Sequence, residues 1–518
     1  MANKNIFKSL IGKILPIANA RNQAGGKAYK REPRHALAQY VATGCLNNTF
    51  YVDAQAQLDA VLKLCDSVEP EFVAKSAIYS RERGLMKDMP ALLLAWLGKH
   101  DVKLFSRVFG RVIDNGKLLR NVVQVLRSGV TGRKSLGTAP RRAVRNWLEN
   151  RSEKRLFADS VGNDPSLADV IKLAHPRPLN KQREAFYGYL LGRKHDAALL
   201  PEAVREFEDF KAGITSSVPD VPFQMLTSLT LTREQWCEIA LHGGWHMLRM
   251  NLNTFTRHGV FEEPGMAGLV AERLADAEAV KKARVFPYQL LAAYFNAGKE
   301  VPELVREALQ DALECSLANV PELRGKVVIC LDVSGSMHTA VTGNRRGATS
   351  KVRCMDVAAL FAAAILRRNP RAEVIAFNDQ VVECRLNSRD SVMTNAKQLS
   401  SLPQGGTNCS APLVKLNRAK ATADMLIYVS DNESWVDCNK GERGTAMMEQ
   451  WNIFAARNPT AKLACIDLQP SETMQAAERE DVLNIGGFSD SVFELLENFA
   501  QGAMSPGHWA GEIEKVEV

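Results

Sequence analysis

The sequence predicts a chain of two parts: an all-α array of short helices over roughly the first 320 residues, then an α/β domain built on a doubly wound, mainly parallel sheet. Three observations carry this reading. Up to Val320, apolar residues recur at spacings of three and four. From residue 326 onward, short β-branched runs alternate with helical patterns, as crossover-connected parallel strands require. The first of those runs, Val327-Val328-Ile329-Cys330-Leu331, ends in Asp332-Val333-Ser334-Gly335-Ser336. That polar cluster falls just past the strand's carboxyl end, where open α/β sheets place their ligands.

The chain opens on a basic segment, residues 1–22. Met1 to Lys30 contains no acid, and the apolar stretch Ile6–Leu15 is broken by Lys8 and Lys13, which makes a poor signal peptide. Ile6, Phe7, Leu10, Ile11 and Ile14 instead predict one face of a short docking helix. Residues 23–320 form the helical domain. Leu58, Val61, Leu62 and Cys65 share one stripe, followed by Leu92, Leu93, Ala95 and Trp96, by Phe105, Val108, Phe109 and Val112, and by Val122, Val123, Val125 and Leu126. Asp88-Met89-Pro90, Gly162-Asn163-Asp164-Pro165 and Pro219-Asp220-Val221-Pro222 punctuate the helices. Many short amphipathic helices without a strict period predict HEAT-like stacked pairs, an architecture whose curvature can close into a ring. The seam to the second domain, residues 321–518, is placed near Val320-Pro321-Glu322-Leu323.

In the second domain the patterns predict strands near 326–333, 372–378, 381–386, 424–430, 461–467 and 482–486, and helices near 351–368, 443–457 and 489–500. Two later segments complete the polar cluster. Pro403-Gln404-Gly405-Gly406-Thr407-Asn408 is a Gly-rich turn presenting a hydroxyl, and Met425 to Val429 is a second apolar strand followed by Ser430-Asp431. Asp332, Ser334, Ser336, Thr407 and Asp431 together offer two carboxylates and three hydroxyls, a donor set suited to one hard divalent cation, Mg²⁺ foremost. The set resembles the metal-ion-dependent adhesion site of von Willebrand factor A domains.

Composition is that of a globular protein, with 46% apolar and 24% charged residues in 518. No apolar run reaches the ~20 residues a membrane span needs. Ten scattered cysteines, with no C-x-x-C pair, predict reduced thiols in a cytoplasmic protein. No nucleophile–base constellation is visible, so an enzyme is not expected. The net charge of +8 is unevenly spread. Residues 1–320 hold 45 Lys and Arg against 34 Asp and Glu, whereas residues 321–518 hold 21 against 24. Residues 101–150 alone hold 11 basic side chains against three acidic ones. The strip Lys117, Arg120, Arg127, Arg133, Lys134, Arg141, Arg142 and Arg145 is either a footprint for nucleic acid or another polyanion, or the solvated face of a long helical domain.

The chain also resembles the Ro ribonucleoprotein autoantigen family, in which a helical TROVE module precedes a von Willebrand A-like domain. The resemblance rests on Asn22-Gln23-Ala24-Gly25-Gly26, the stretch Leu37 to Tyr51, Pro140 to Trp147, Leu173-Ala174-His175-Pro176-Arg177-Pro178, Leu248 to Leu252, Lys281 to Tyr288, the metal motif and Ser430-Asp431-Asn432-Glu433-Ser434. It implies a monomeric ring of HEAT-like helices closed by the A-type domain, with a Y-like small noncoding RNA on the basic outer face and single-stranded RNA ends in the cavity. An exoribonuclease partner and a role in RNA quality control or processing follow from the same likeness. His175 matches the family's Y-RNA contact, and Arg249, Lys281, Lys282 and Arg284 match cavity-side positions. One departure stands out: the family's basic run before that histidine is replaced here by a stretch containing Asp159 and Asp164, and Arg151, Lys154 and Arg155 lie nearer Trp147. The alternative function is a metal-dependent protein-adhesion module, with the helices as its support.

Overall fold

The computed structural model describes residues 16–43, 53–283, 285, 287–341, 351–470, 473–487, 491–502 and 508–518. The docking helix expected over Ile6–Leu15, and Thr49 to Tyr51, lie outside these residues. The chain forms two compact units, one centred on the sheet and one purely helical, and their membership differs from the linear division at Val320. The sheet unit includes the described residues before Cys65, the helix Pro287–Asn296 and most of Gln310–Lys515; the helical unit holds Cys65–Ala283, Ala297–Leu309 and Val516–Val518.

The sheet unit explains why the N-terminal segment joins it. Strands β1 (Ala20–Arg21) and β2 (Lys27–Lys30) form a hairpin, and β2 pairs with β8 (Thr473–Met474) through Tyr29↔Met474. A two-stranded hairpin alone is marginal in water. This one gains a third strand, and Tyr29 is buried in the same cluster as Tyr428, Trp451 and Met474. None of this was legible from the basic composition of the segment.

The main sheet has six strands: β3 (Val327–Asp332), β4 (Glu373–Phe377), β5 (Val381–Val382), β6 (Met425–Ser430), β7 (Lys462–Asp467) and β9 (Val482–Gly486), in the order β5-β4-β3-β6-β7-β9. All neighbours are parallel except the β4–β5 edge pair. Every residue of β3 and β6 is buried, which is why both read as continuous apolar runs rather than as alternation. On one face Leu413, Leu416, Met448, Trp451 and Phe454 pack against Val328, Cys330 and Leu426. Elsewhere in the unit Phe361 stacks on Phe493 with ring centroids 5.2 Å apart. All six expected strands form, although the one foreseen over 381–386 shortens to two residues. The helices Val392–Ser400 and Ala411–Arg418 were not anticipated.

In the helical unit, helix Asp88–His100 is buried almost throughout, from Met89 to Gly98. Amphipathic helices Val102–Val112 and Gly116–Ser128 bury Phe105, Val108, Phe109 and Val112, and Val122, Val123 and Leu126, as their spacing dictates. Asp101 and Asn115 accept backbone N–H groups at the two N-termini. Further along lie helices Thr138–Asn150, Leu167–Ala174 and Ala277–Ala283.

Candidate functional site

The loop after β3 delivers Asp332, Ser334 and Ser336, and it turns at once into a short 3-10 helix, Gly335–His338. The Ser334 backbone N–H donates to Asp332 Oδ1 over 2.8 Å, and the two serine hydroxyls stand 3.2 Å apart. The turn carrying Thr407 is fastened from both sides. Gly335 N–H donates to the Gly405 carbonyl at 3.0 Å, and Gly406 N–H to Asp379 Oδ1 at 2.8 Å. A Cβ on Gly406 would push the exposed Asp379 carboxylate away from the N–H it accepts. The Thr407 carbonyl accepts from Trp435 and Val436 N–H, each at 2.9 Å, which ties the turn to the loop after β6.

That loop carries Asp431. The structure therefore gathers all five predicted residues at the carboxyl ends of β3 and β6, and all are buried: Asp332 at 0%, Ser334 at 1%, Asp431 at 1%, Thr407 at 2% and Ser336 at 8% exposure. Burial pushes the Asp332 carboxyl up from its ordinary range, offset in part by hydrogen bonds from Ser430 and Ser334. Asp431 is pushed well above that range, first by burial and then by the Asp332 charge. Both Asp431 oxygens are buried without a hydrogen-bond partner, and only the nearby Ser336 hydroxyl eases the charge. Orphaned carboxylate oxygens beside a second buried acid and three hydroxyls fit a divalent cation, which would satisfy them and cancel their repulsion.

Ser430 belongs to this centre although its sequence signal was weaker than that of the five. Its hydroxyl donates to Asp332 Oδ2 at 2.6 Å and accepts from Asn432 N–H at 2.9 Å. Its position as the last residue of β6, next to the acid, was the available signal. Asn432 takes the left-handed conformation, φ 62°, that lets the chain turn there.

The basic strip separates into two kinds of side chain. Lys117 and Arg127 on helix Gly116–Ser128, Lys134, and Arg141 and Arg142 on helix Thr138–Asn150 are exposed. Arg120 is not available to phosphate: it is 8% exposed and its Nη1 donates to the Asp159 carbonyl at 2.7 Å. Arg133 donates to the Gly98 carbonyl, and Arg145 donates through Nε and Nη2 to the Ala174 carbonyl at 3.2 and 3.0 Å. These three arginines satisfy carbonyls at helix ends, a role that composition cannot tell from surface charge.

Arg145 thereby braces the helix end that His175 caps. His175 is exposed, in the left-handed conformation at φ 51°. Arg249 is half-buried with its guanidinium 6.0 Å from the centre of the Trp245 ring. Lys281 and Lys282 are exposed on helix Ala277–Ala283, and Arg284 lies outside the described residues. In the interval where the sequence departs from the family, Asp159 accepts from Arg151 and its carbonyl accepts from Arg120. Lys154 pairs with Asp220 at 2.7 Å. Arg151 lies 4.6 Å over the Trp147 ring, and both border a groove of about 730 Å³ shared with Asn146, Asn150 and Arg155.

Comparison with known proteins agrees with both halves. Residues 326–500 match the Ro60 vWA domain and residues 228–342 match the TROVE domain. The chain is 24% identical to the RNA-binding protein RO60 of Deinococcus radiodurans over 528 aligned positions, covering 93% of this chain and 95% of the relative. It is also 24% identical to the RNA-binding protein RO60 of Caenorhabditis elegans over 263 positions, 49% of this chain and 39% of that one. The crystal structure of the D. radiodurans RO (RSR) protein superposes with a TM-score of 0.66 at 22% identity, covering 91% of this chain and all of that one. The chain thus carries matches to a TROVE domain and, after it, a Ro60 vWA domain, and over most of its length it is similar to a Ro protein in sequence and fold.

Proposed function

We propose that this protein is an RNA-binding scaffold acting in RNA quality control or processing, holding its ligand by phosphate contacts rather than by catalysis. The observation that carries the reading is the set of exposed cations on the helical unit, Lys117, Arg127, Lys134, Arg141 and Arg142. Such contacts are independent of sequence and sensitive to salt. A Y-like small structured RNA is the ligand proposed for this face, with His175 as a further contact. The Trp147 groove adds an aromatic surface and amide donors suited to an unpaired base. The ring cavity for single-stranded ends of misfolded or decaying RNA, which the resemblance implies, is part of the same proposal. Arg249, Lys281 and Lys282 are its candidate contacts, and an exoribonuclease its candidate protein partner. No helix among the described residues is long and apolar enough to cross a membrane, and we place the protein in the cytoplasm.

A second reading is favoured by the orphaned Asp431 oxygens. Asp332, Ser334, Ser336, Thr407 and Asp431 would hold one divalent cation, Mg²⁺ by its oxygen donors, and this site would grip an acidic group of a protein partner. The experiment for the first reading is filter binding of a structured and a single-stranded RNA across a salt series. Affinity that does not fall as salt rises contradicts it.

A further inference from the structure

We infer that the N-terminal arm, Asn22 to Arg31, is a positioning element of the metal centre, holding the loop after β6 in the conformation that places Asp431 and Thr407. The inference rests on the metal reading above. It starts from a turn that the sequence builds locally. Asn22 N–H donates to the Gly26 carbonyl at 3.0 Å, Gly25 N–H to the Asn22 carbonyl at 2.9 Å, and Gly26 N–H to Asn22 Oδ1 at 2.8 Å. The Asn22 side chain is thus held from within the turn, and its amide nitrogen points outward.

That amide donates to the Ser434 carbonyl at 2.6 Å, with Asn22 6% exposed. Gln23 N–H donates to Glu433 Oε2 at 3.0 Å, and Glu433 is fully buried. Lys27 N–H donates to the Cys438 carbonyl at 3.2 Å. Gly26 presses on the same residue so closely that a Cβ on it would lie 2.8 Å from Cys438 Cα. One turn therefore grips the loop from Glu433 to Cys438.

The loop passes this constraint on to the donor residues. Ser434 Oγ accepts from Cys409 N–H at 3.0 Å and donates to Asp437, whose Oδ2 accepts from Ser410 N–H at 3.0 Å. With the bonds from Trp435 and Val436 to the Thr407 carbonyl, the loop sets the position of residues 407–410. At its other end the arm supplies a charge. Arg31 Nη2 pairs with Asp467 Oδ2 at 2.8 Å, with side chains 1% and 2% exposed. Asp467 ends β7 directly beside Ser430. Asp467, one of two further buried carboxylates whose charge acts on Asp431, is thereby paired with a cation, and Glu433, the other, is held by the Gln23 N–H.

The test uses the full chain and three variants. Asn22→Ala removes the Ser434 contact, Arg31→Met removes the charge, and Arg31→Lys returns it. Mn²⁺ affinity is measured by calorimetry, and amide hydrogen exchange over 431–438 is followed in metal-free protein. The expected result is Mn²⁺ affinity at least about fivefold weaker in Asn22→Ala and Arg31→Met, partial recovery in Arg31→Lys, and faster exchange confined to that loop. If Arg31→Met does not fold, Asn22→Ala alone decides. Wild-type affinity in folded Asn22→Ala overturns the inference, whether or not exchange quickens. A wild-type chain that takes up no Mn²⁺ overturns the metal reading itself and the positioning role with it.

Discussion

The acid- and hydroxyl-bearing loops of the sheet unit and the exposed cations of the helical unit are built on opposite principles. The first is a set of buried groups held by their neighbours, Asp332 by Ser430 and Ser334 and the Thr407 turn by Asp379 and Trp435, around the unpartnered Asp431 oxygens. The second is a set of side chains exposed on two helices and the loop between them. Buried groups act as a unit and fail together, whereas exposed charges in high dielectric contribute separately and modestly. Single substitutions should therefore be severe in one region and mild in the other.

The largest effect is expected at the proposed metal centre. Asp431→Ala or Asp332→Ala should lower Mg²⁺ affinity by about a hundredfold or more, since hard cations depend on carboxylate charge. Calorimetry on each folded variant checks this, and retained affinity would dissolve the contrast. On the helical face, replacing Lys117, Arg141 and Arg142 together by Ala should weaken RNA binding roughly tenfold or more across unrelated sequences. The slope of log affinity against log salt should fall by about two to three, roughly one unit for each phosphate that is no longer neutralised. A triple variant with the wild-type slope would move the interface elsewhere.

Arg120 sharpens the comparison because it lies among the cations yet behaves as a buried group. Arg120→Met should cost about 1–3 kcal/mol of stability by removing the bond to the Asp159 carbonyl. RNA affinity of the folded variant should not change. Denaturant melts and filter binding on one sample separate the two outcomes.

A smaller effect concerns pH. Asp332 and Asp431 have raised carboxyls in the metal-free fold. Their folded forms bind protons more readily than their unfolded ones. They favour the fold below the ordinary carboxylate range of about 4, and that contribution is lost as pH rises through the raised folded values. Bound Mg²⁺ requires both ionised, so its stabilisation should grow with pH, reaching about 2.7 kcal/mol at a hundredfold excess over Kd. Thermal melts with and without Mg²⁺ at pH 5 and pH 8 check the sign. A larger stabilisation at pH 5 would contradict the assignment.

What could be read from the sequence follows the same divide. The β3 and β6 runs, their terminal acids and the Gly-Gly-Thr turn are local signals, and the structure brings all five residues together. The long-range parts were hidden. Nothing local to Asn22 or Arg31 announces that they contact Ser434 and Asp467, more than 400 positions away. Tyr29 is a core residue only because a distant strand pairs beside it. The strip over 117–145 was legible as charge but not as geometry. Lys117 and Arg120 lie three residues apart on one side of a helix, and only the packing of the Asp159 carbonyl against Arg120 leaves one in solvent and buries the other. Arg145 and Arg133 answer to carbonyls whose positions only the packed helices define.

The central claim is that the exposed cations of the helical unit hold RNA independently of the metal centre. The most direct measurement is the RNA affinity of Asp332→Ala combined with Ser334→Ala, assayed with a structured stem and with a single-stranded 3′ tail, folding being verified by circular dichroism. The account predicts wild-type affinity for both RNAs together with complete loss of Mg²⁺ binding. A loss of RNA affinity beyond tenfold, about 1.4 kcal/mol, in the folded variant would contradict it and make the metal centre part of the RNA site.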